Sequence, residues 1–288
     1  MQSALRDTLP IARSDQISWT KLTTGATTGF RAIAHLTNEA TLFAGDSGTV
    51  VRSSEGFFGW QTSSAGTSQQ LNAMAFSDTS SGWVAGTKGA MAQSTDGGHS
   101  WASKSSGPTT SLNAVVSLGG DTAVAVGTTG AILRRVSRQQ PWTTVTSGIS
   151  STLQAATVTP DGSIFAVGNS GRILRSTDAG LTWSSIASGS TTTLYGITFR
   201  DSIGLIAGNN GTLLRSTNAG TSWSPVTSNT ANMMRSVAFA TDSIVVAVGM
   251  YSATVLRSTN AGETWAGVYT QDFSRYNSIS FVDSLRGT

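Results

Sequence analysis

The sequence predicts an all-β fold, a seven-bladed β-propeller of four-stranded antiparallel blades whose closing blade is shared between the two termini. Seven tryptophans recur at intervals of 41, 41, 41, 41, 40 and 42 residues: Trp19, Trp60, Trp101, Trp142, Trp183, Trp223 and Trp265. Each interval holds short apolar runs separated by turn residues, and none has the length and period of an amphipathic helix. A repeat of about 40 residues with four short strands is typical of a propeller blade.

The repeat from Leu194 to Val226 shows the four runs most clearly. They span residues 194–199, 204–208, 212–215 and 223–226, and turn residues bound each of them. A G-x-x-G motif separates the second run from the third, as expected for a tight hairpin in which glycine supplies a positive φ. Five repeats keep this motif, whereas the sixth has Met250-Tyr251-Ser252-Ala253 in its place.

We interpret residues 1–288 as one propeller domain. Six blades are expected at about residues 31–64, 71–105, 112–146, 153–187, 194–227 and 235–269. Residues 9–23 and 277–288 each contain two further strand-length runs, so they are expected to form the closing blade together. The last run stops before the glycine that ends its equivalents, which predicts a closing blade truncated at its C-terminal end.

An eight-residue motif, S-x-D-x-G-x-x-W, ends at several of the periodic tryptophans. Two copies keep the aspartate, and two have asparagine in its place. The copy before Trp60 has Glu55 there, and the copy before Trp142 has lost the pattern. The defining residues of the four good copies are Asp96 and Trp101, Asp178 and Trp183, Asn218 and Trp223, and Asn260 and Trp265.

This motif resembles the Asp-box, or BNR, repeat of sialidases, sortilin ectodomains, xyloglucanase-type glycoside hydrolases and photosystem II stability/assembly factor propellers. The resemblance covers nearly the whole chain and implies a propeller whose boxes lie on the face opposite any active site. A short Asp or Asn side chain can accept the N–H bonds of its own turn, while the tryptophan packs between sheets. We therefore expect the box residues to be structural, and neither catalytic nor metal-binding.

Composition excludes several classes of function. The chain has no cysteine, which excludes disulfides, thiolate metal sites and a cysteine nucleophile. Two histidines, His35 and His99, form no ligand cluster, so no metal and no cofactor are expected. The net charge of +3 is small, and we expect no nucleic-acid partner. No run of 18 apolar residues appears, so no membrane span is expected.

The low charge content indicates an exported protein. Charged residues make up 11% of the chain, against about a quarter in average globular proteins, and Ser, Thr and Gly replace them. Residues 1–18 lack the apolar region of a signal peptide. We expect an extracellular, cell-surface or periplasmic location, with the leader absent from this sequence.

An arginine recurs on the third strand of five blades. These residues are Arg52, Arg134, Arg175, Arg215 and Arg257. They either form a stripe that binds a polyanion or have a structural role, with the stem packed and the head paired or solvated. The structural role is the preferred interpretation.

Departures from the repeat predict a ligand site at one mouth of the central channel. Four innermost strands are interpreted as starting with a leucine where two others have arginine; the leucines are Leu71, Leu112, Leu153 and Leu194. The predicted site consists of Arg31, Arg235, Arg275, Tyr251, Phe273 and Tyr276. Guanidinium groups with aromatic neighbours suit a carboxylate, a phosphate or an acidic peptide terminus. Pairing of the arginines with Asp272 and Asp283 is the alternative.

The leading functional hypothesis is a non-catalytic protein-interaction or assembly scaffold, a monomeric ring that binds a protein or peptide. The resemblance to assembly-factor propellers implies that polypeptides bind on the channel face. The alternative is a carbohydrate-active propeller, either a glycan-binding lectin or a glycoside hydrolase of the sialidase type. Hydrolysis needs two carboxylates about 5–10 Å apart, and Asp272 is the one acid expected near the mouth. No catalytic residue is therefore assigned.

Overall fold

The computed structural model describes residues 22–137, 139–250, 254–268, 276–281 and 286–288. Within these ranges the chain forms six antiparallel four-stranded sheets, each with its strands in chain order. Contacts between successive first strands bring the sheets together as the blades of a propeller. In the described part of the chain, no helix is long and apolar enough to span a membrane.

The strands of each blade follow one another along the chain. Blade 1 has β1 (Phe30–Thr37), β2 (Ala40–Gly45), β3 (Thr49–Arg52) and β4 (Gln61–Ser64). Blade 2 has β5 (Leu71–Phe76), β6 (Gly82–Gly86), β7 (Met91–Ser94) and β8 (Ala102–Ser103). Blade 3 has β9 (Leu112–Ser117), β10 (Ala123–Gly127), β11 (Ile132–Arg135) and β12 (Thr143–Val145). Blade 4 has β13 (Leu153–Val158), β14 (Ile164–Gly168), β15 (Ile173–Ser176) and β16 (Ser184–Ile186). Blade 5 has β17 (Leu194–Arg200), β18 (Ile203–Gly208), β19 (Leu213–Ser216) and β20 (Ser224–Val226). Blade 6 has β21 (Met234–Phe239), β22 (Val245–Gly249), β23 (Val255–Ser258) and β24 (Ala266–Val268).

Antiparallel order gives the ring two different faces. The turns between first and second strands, and between third and fourth strands, lie at one end of every blade. We call this end the box face, because the S-x-D-x-G-x-x-W turns are there. The loops between second and third strands and the connections between blades lie at the other end, which we call the channel face.

The core lies between successive blades. Five apolar clusters each combine the second and third strands of one blade with strands of the next. Between blades 1 and 2, for example, Leu42 and Val50 pack with Leu71 and Val84, and all four are fully buried. Burying one such side chain contributes about 1.5–3 kcal/mol. The hydrophobic runs of the sequence therefore hold neighbouring blades together.

The prediction of seven blades is wrong. The structure forms six sheets in the described residues, and residues 277–281 and 286–288 contribute no strand to a further sheet. Among these described C-terminal residues, the one strand-type pairing is an isolated bridge between Phe281 and Gly287. Residues 9–21 of the predicted closing blade lie outside the described residues. A strand-length apolar run becomes a blade strand only when a neighbouring strand satisfies its backbone groups.

The C-terminal segment, described at residues 276–281 and 286–288, instead packs against blade 6. Ile279 and Phe281 pack on Val246, Val248 and Val255, where the next blade would otherwise lie. The backbone N–H of Ile279 donates to the Ser236 hydroxyl at 3.3 Å. At its far end the segment reaches blade 1, since the Thr288 hydroxyl lies 3.1 Å from His35 Nε2. Apolar burial and a few hydrogen bonds thus link the last blade to the first.

The box turns are held by their own acidic or amide side chains. Asp178 accepts from the Ser176 hydroxyl at 2.8 Å, from the Thr182 N–H at 2.9 Å and from the Thr182 hydroxyl at 2.6 Å. The bonds from Thr182, followed by that from Ser176, lower the pKa of Asp178 from 3.8 to about 2. Asn218 reproduces the turn, because Oδ1 accepts from the Ser222 N–H and Nδ2 donates to the Ser222 hydroxyl.

Replacing Asp178 separates the charge of the box from its hydrogen bonds. Asp178→Asn should match the wild type at pH 7, because Asn218 makes the same turn, whereas Asp178→Ala should be less stable. A pKa that folding lowers from 3.8 to about 2 gives stability that is complete above 3.8 and is lost as the pH falls through 2. Urea unfolding at pH 7 and pH 2.5 should therefore show a smaller acid loss for Asp178→Asn. Equal destabilisation of both variants at pH 7 would contradict this role.

In three of the box turns, the fourth residue contacts the preceding blade through its backbone. The Nε of Arg52, Arg134 and Arg215 donates to the carbonyls of Gly97, Ala179 and Ala261 respectively, at 2.8–2.9 Å. Each bond joins the third strand of one blade to the box of the next. These three arginine head groups therefore have a structural role in the described ring. This is the role that we preferred for the arginines of the third strands.

Blade 2 differs at this position because blade 3 has no box. Gln93 takes the place of the arginine, and the residue paired with it is Trp83. Trp83 is the one tryptophan outside the 41-residue register, and only 1% of it is exposed. It packs edge-on against Trp142 at 5.1 Å, with the Arg135 guanidinium 5.0 Å from its ring centroid. The large ring fills the volume that a box turn occupies elsewhere.

Candidate functional site

A central cavity of about 510 Å³ runs between the innermost strands of all six blades. Its wall also includes Asn277 and Ser278 of the C-terminal segment. Each first strand carries a β-bulge near its start, because the pairing with the second strand skips one residue there. A bulge re-aims a side chain. The skipped residues, which all line the cavity and which we call the bulge ring, are Arg31, Asn72, Asn113, Gln154, Tyr195 and Arg235.

The sequence-based alignment of Arg31 and Arg235 with the four leucines is wrong by one residue. Leu71, Leu112, Leu153 and Leu194 pair with the glycines that end their second strands. In blades 1 and 6 the residues in that pairing are Phe30 and Met234. The leucines are fully buried between blades. Arg31 and Arg235 are therefore equivalent to amides and a tyrosine. Aligning the apolar runs without the bulge places the two arginines opposite the leucines instead.

The amides of the bulge ring connect neighbouring blades. Asn72 Nδ2 donates to the Leu112 carbonyl, and Asn113 Nδ2 donates to the Leu153 carbonyl, each at 2.9 Å. Gln154 instead donates from Nε2 to Asn169 Oδ1 at 3.0 Å, within its own blade. Neutral side chains in this half of the ring thus satisfy the polar groups of the ring itself.

The two arginines occupy the other half, on either side of the C-terminal segment. Arg235 lies half-buried with its guanidinium 4.8 Å from the centroid of the Tyr195 ring. Burial lowers the pKa of Arg235, Tyr195 raises it and the charge of Arg31 lowers it again. Arg31 Nε lies 3.4 Å from Asp46 Oδ1, with 39% and 42% of the two side chains exposed. The site is therefore cationic, partly desolvated and open to an anion.

Acidic residues are segregated from this site. In the described residues, every Asp and Glu except Asp46 lies in a turn of the box face: Glu39, Glu55, Asp78, Asp96, Asp121, Asp161, Asp178, Asp201, Asp242 and Glu263. Besides the bulge-ring arginines, the loops of the channel face carry Lys88, Lys104 and Arg172. No carboxylate lines the described part of the cavity wall. The channel face therefore presents a positive potential to an approaching ligand.

Arg275, Tyr251 and Phe273 lie outside the described residues, as do the alternative partners Asp272 and Asp283. Tyr276 packs on the apolar cluster of blade 6, and its N–H donates to the Gly249 carbonyl at 3.2 Å. Among the described residues, no group of three potential metal ligands is present.

Sequence reasoning missed two members of the site, Tyr195 and Asp46. Both stand out once the repeats are aligned through the bulge. Tyr195 is the aromatic residue of the bulge ring, and Asp46 is the acidic residue of the loops after the second strands. Some of the serine hydroxyls in the connections between blades bond to the backbone of the fold itself. Ser188, for example, is buried and donates to the Ser190 carbonyl at 3.1 Å.

Comparisons with known proteins agree with this architecture. The family model for photosynthesis system II assembly factor YCF48 matches residues 53–147. No match was found among curated proteins. A solved structure of YCF48 bound to D1 peptide has a TM-score of 0.77 at 19% identity, covering 95% of this chain and 92% of that chain. YCF48 from Cyanidioschyzon merolae gives 0.76 at 19% identity, with 94% and 95% covered.

A glycoside hydrolase also shares the fold. The GH74 enzyme of Niastella koreensis has a TM-score of 0.66 at 18% identity, covering 89% of this chain and 40% of the enzyme. Identities of this size establish a common fold and no common activity. The fold and the repeated boxes define a β-propeller of the BNR type. This chain is such a propeller, and it resembles the photosystem II assembly factor.

Proposed function

We propose that the chain is a non-catalytic protein-interaction scaffold that binds an acidic or carboxylate-bearing polypeptide at the channel mouth. The observation that carries the proposal is the pair Arg31 and Arg235, which breaks an otherwise neutral bulge ring at one side of the cavity. An arginine fork can hold a carboxylate through two parallel hydrogen bonds. Tyr195 adds an apolar surface beside that charge.

The distribution of charge supports an anionic partner on this face. Ten acidic residues lie in box-face turns, some paired with arginines there, so a negative segment is repelled from that side. A positive mouth with low-dielectric walls raises the local concentration of an anion. The similarity to YCF48, one structure of which contains a D1 peptide, supports a polypeptide as the class of ligand.

The carbohydrate-active alternative has less support. Retaining and inverting glycoside hydrolases need two carboxylates about 5–10 Å apart, and no acid is found among the described residues of the cavity wall. A lectin needs aromatic faces and free hydrogen-bonding groups. Here the bulge ring offers Tyr195, which already lies against Arg235. Export to the cell surface or periplasm remains a prediction, as does the monomeric state.

Binding of acetylated octaglutamate, labelled with an uncharged dye, tests the proposal by fluorescence anisotropy. The wild type should bind, with an affinity that falls as salt rises, because exposed charges are screened over about 8 Å at physiological ionic strength. Arg31→Gln with Arg235→Gln should weaken binding at least tenfold without changing the melting temperature, since Gln154 already occupies this ring position. A free and an amidated C-terminus distinguish an α-carboxylate from side-chain carboxylates.

The matched control is Lys88→Gln with Arg172→Gln. It removes the same charge from the same face but leaves the bulge ring intact. Binding should change little. Equal losses in both double variants would mean that net charge, and not the ring site, attracts the peptide. Unchanged binding in Arg31→Gln with Arg235→Gln would refute the site.

A further inference from the structure

The loop after the second strand holds one acid directly beside the proposed site. Asp46 follows the glycine that ends β2, and its equivalents in blades 2 to 5 are neutral: Thr87, Thr128, Asn169 and Asn209. In blade 1 this acid faces Arg31, with Arg31 Nε and Asp46 Oδ1 3.4 Å apart. The described channel face thus carries its one acidic side chain where the arginine pair is.

The local backbone makes room for this acid. A Cβ on Gly29 would come within 2.9 Å of Asp46 Oδ2, so a side chain at that position would displace the carboxylate. The equivalent residues in the next four blades are Gln70, Ser111, Thr152 and Thr193, all of which have side chains. The Asp46 N–H also donates to the Gly29 carbonyl at 3.0 Å. Blade 1 therefore combines a glycine, an acid and an arginine that do not occur together in those blades.

We propose that Asp46 is a built-in competitor for the channel mouth: its carboxylate occupies Arg31 in the free protein, and an acidic ligand must displace it. This inference rests on the proposed function, because it concerns the same arginine pair. An ion pair with both side chains about two-fifths exposed is weak and easily exchanged. Asp46 therefore leaves the site accessible. To displace the Asp46 carboxylate, however, a ligand needs a higher density of negative charge than it would need at a free Arg31. Weakly acidic polypeptides are rejected, and strongly acidic ones are accepted.

The competing interpretation is that Asp46 orients Arg31 for binding. Blade 4 provides the means of separating the two. Gln154 and Asn169 occupy the positions of Arg31 and Asp46, and they form the neutral version of the same pair at 3.0 Å. Asp46→Asn therefore keeps an acceptor for Arg31 Nε and removes only the charge. If Asp46 serves orientation through its charge, this variant must weaken binding, and if it competes, the variant must strengthen binding.

Acetylated octaglutamate with an uncharged dye is again the probe, at three salt concentrations. Asp46→Asn should bind about three- to tenfold more tightly than the wild type at low salt, as expected from removing a like charge about 6 Å from a bound anion in a partly aqueous site. Its affinity should also fall more steeply with salt, because the mouth carries one more net positive charge. Arg31→Gln added to Asp46→Asn should abolish the gain.

Asp201→Asn is the matched control, because it removes one acid from a box-face turn and leaves the site unchanged. It should bind as the wild type does. Wild-type binding combined with equal or weaker binding by Asp46→Asn overturns the competitor role and leaves the proposed function intact. Binding by neither protein overturns both. A gain of the same size in Asp201→Asn overturns the local mechanism in favour of net charge.

Discussion

Replacing Trp83 by alanine is expected to lower the free energy of unfolding by about 3–5 kcal/mol, as large aromatic truncations in a core do. Trp83 is 1% exposed and packs edge-on against Trp142 across the interface of blades 2 and 3. It fills the space that a box turn occupies between other blades, because the turn of blade 3 lacks the box. The surrounding strands therefore have little means of closing the cavity. Urea unfolding followed by far-UV circular dichroism measures the loss.

Two further variants identify the cause of that loss. Trp183→Ala removes a periodic tryptophan that is only partly buried, so its effect should be smaller. Trp83→Leu introduces the residue found at the equivalent positions Leu42 and Leu205, and should still be less stable than the wild type. If Trp83→Leu proved as stable as the wild type, the tryptophan would not be filling the volume of the missing box.

Gly180→Ala is the second substitution with a large expected effect. Gly180 has a φ of 83°, and a Cβ there would lie 2.6 Å from Val124 Cγ2 of the preceding blade. A left-handed alanine costs about 1–2 kcal/mol, and overpacking a core adds about 1–3 kcal/mol. The variant should lose about 2–5 kcal/mol in urea unfolding, because the turn cannot move away without breaking the contact between blades.

Gly189→Ala separates backbone strain from the steric overlap. Gly189 lies in the connection that follows the same blade and has a φ of 69°, but a Cβ there meets nothing within 4 Å. It should lose only the strain, about 1–2 kcal/mol. A double-mutant cycle of Gly180→Ala with Val124→Ala should show favourable coupling, since the smaller valine replacement relieves the overlap. Equal losses for the two glycines would contradict the proposed contact.

Most of the fold can be predicted from the repeated sequence. Strand-length runs, the G-x-x-G hairpins and the boxes recur in register, so blade type and strand order follow from local chemistry. The blade count does not, because closure depends on what fills the gap between the last blade and the first. Residues 277–281 match a first strand in pattern, yet in the structure they pack on blade 6 and pair at a single bridge. The conformation of these residues is therefore determined by tertiary packing and not by their local pattern.

The candidate site was predictable only in part. The sequence singled out Arg31 and Arg235 as exceptions, and both line the cavity. Their equivalents were misassigned because a bulge inserts one residue after the leucine position in each first strand. A pattern of apolar runs carries no mark of such a bulge. Asp46 and Tyr195 were missed because their meaning depends on neighbours from another loop and another blade.

Photo-cross-linking of an acidic peptide tests the central claim most directly, because it reports where the peptide lies. An octaglutamate with one central benzophenone-bearing residue is irradiated with the protein, and the adducts are mapped by mass spectrometry. Adducts concentrated on the starts of β1, β17 and β21 are predicted, and they should disappear in Arg31→Gln with Arg235→Gln. Adducts concentrated on the box face, or the same adducts in that variant, would contradict binding at the channel mouth.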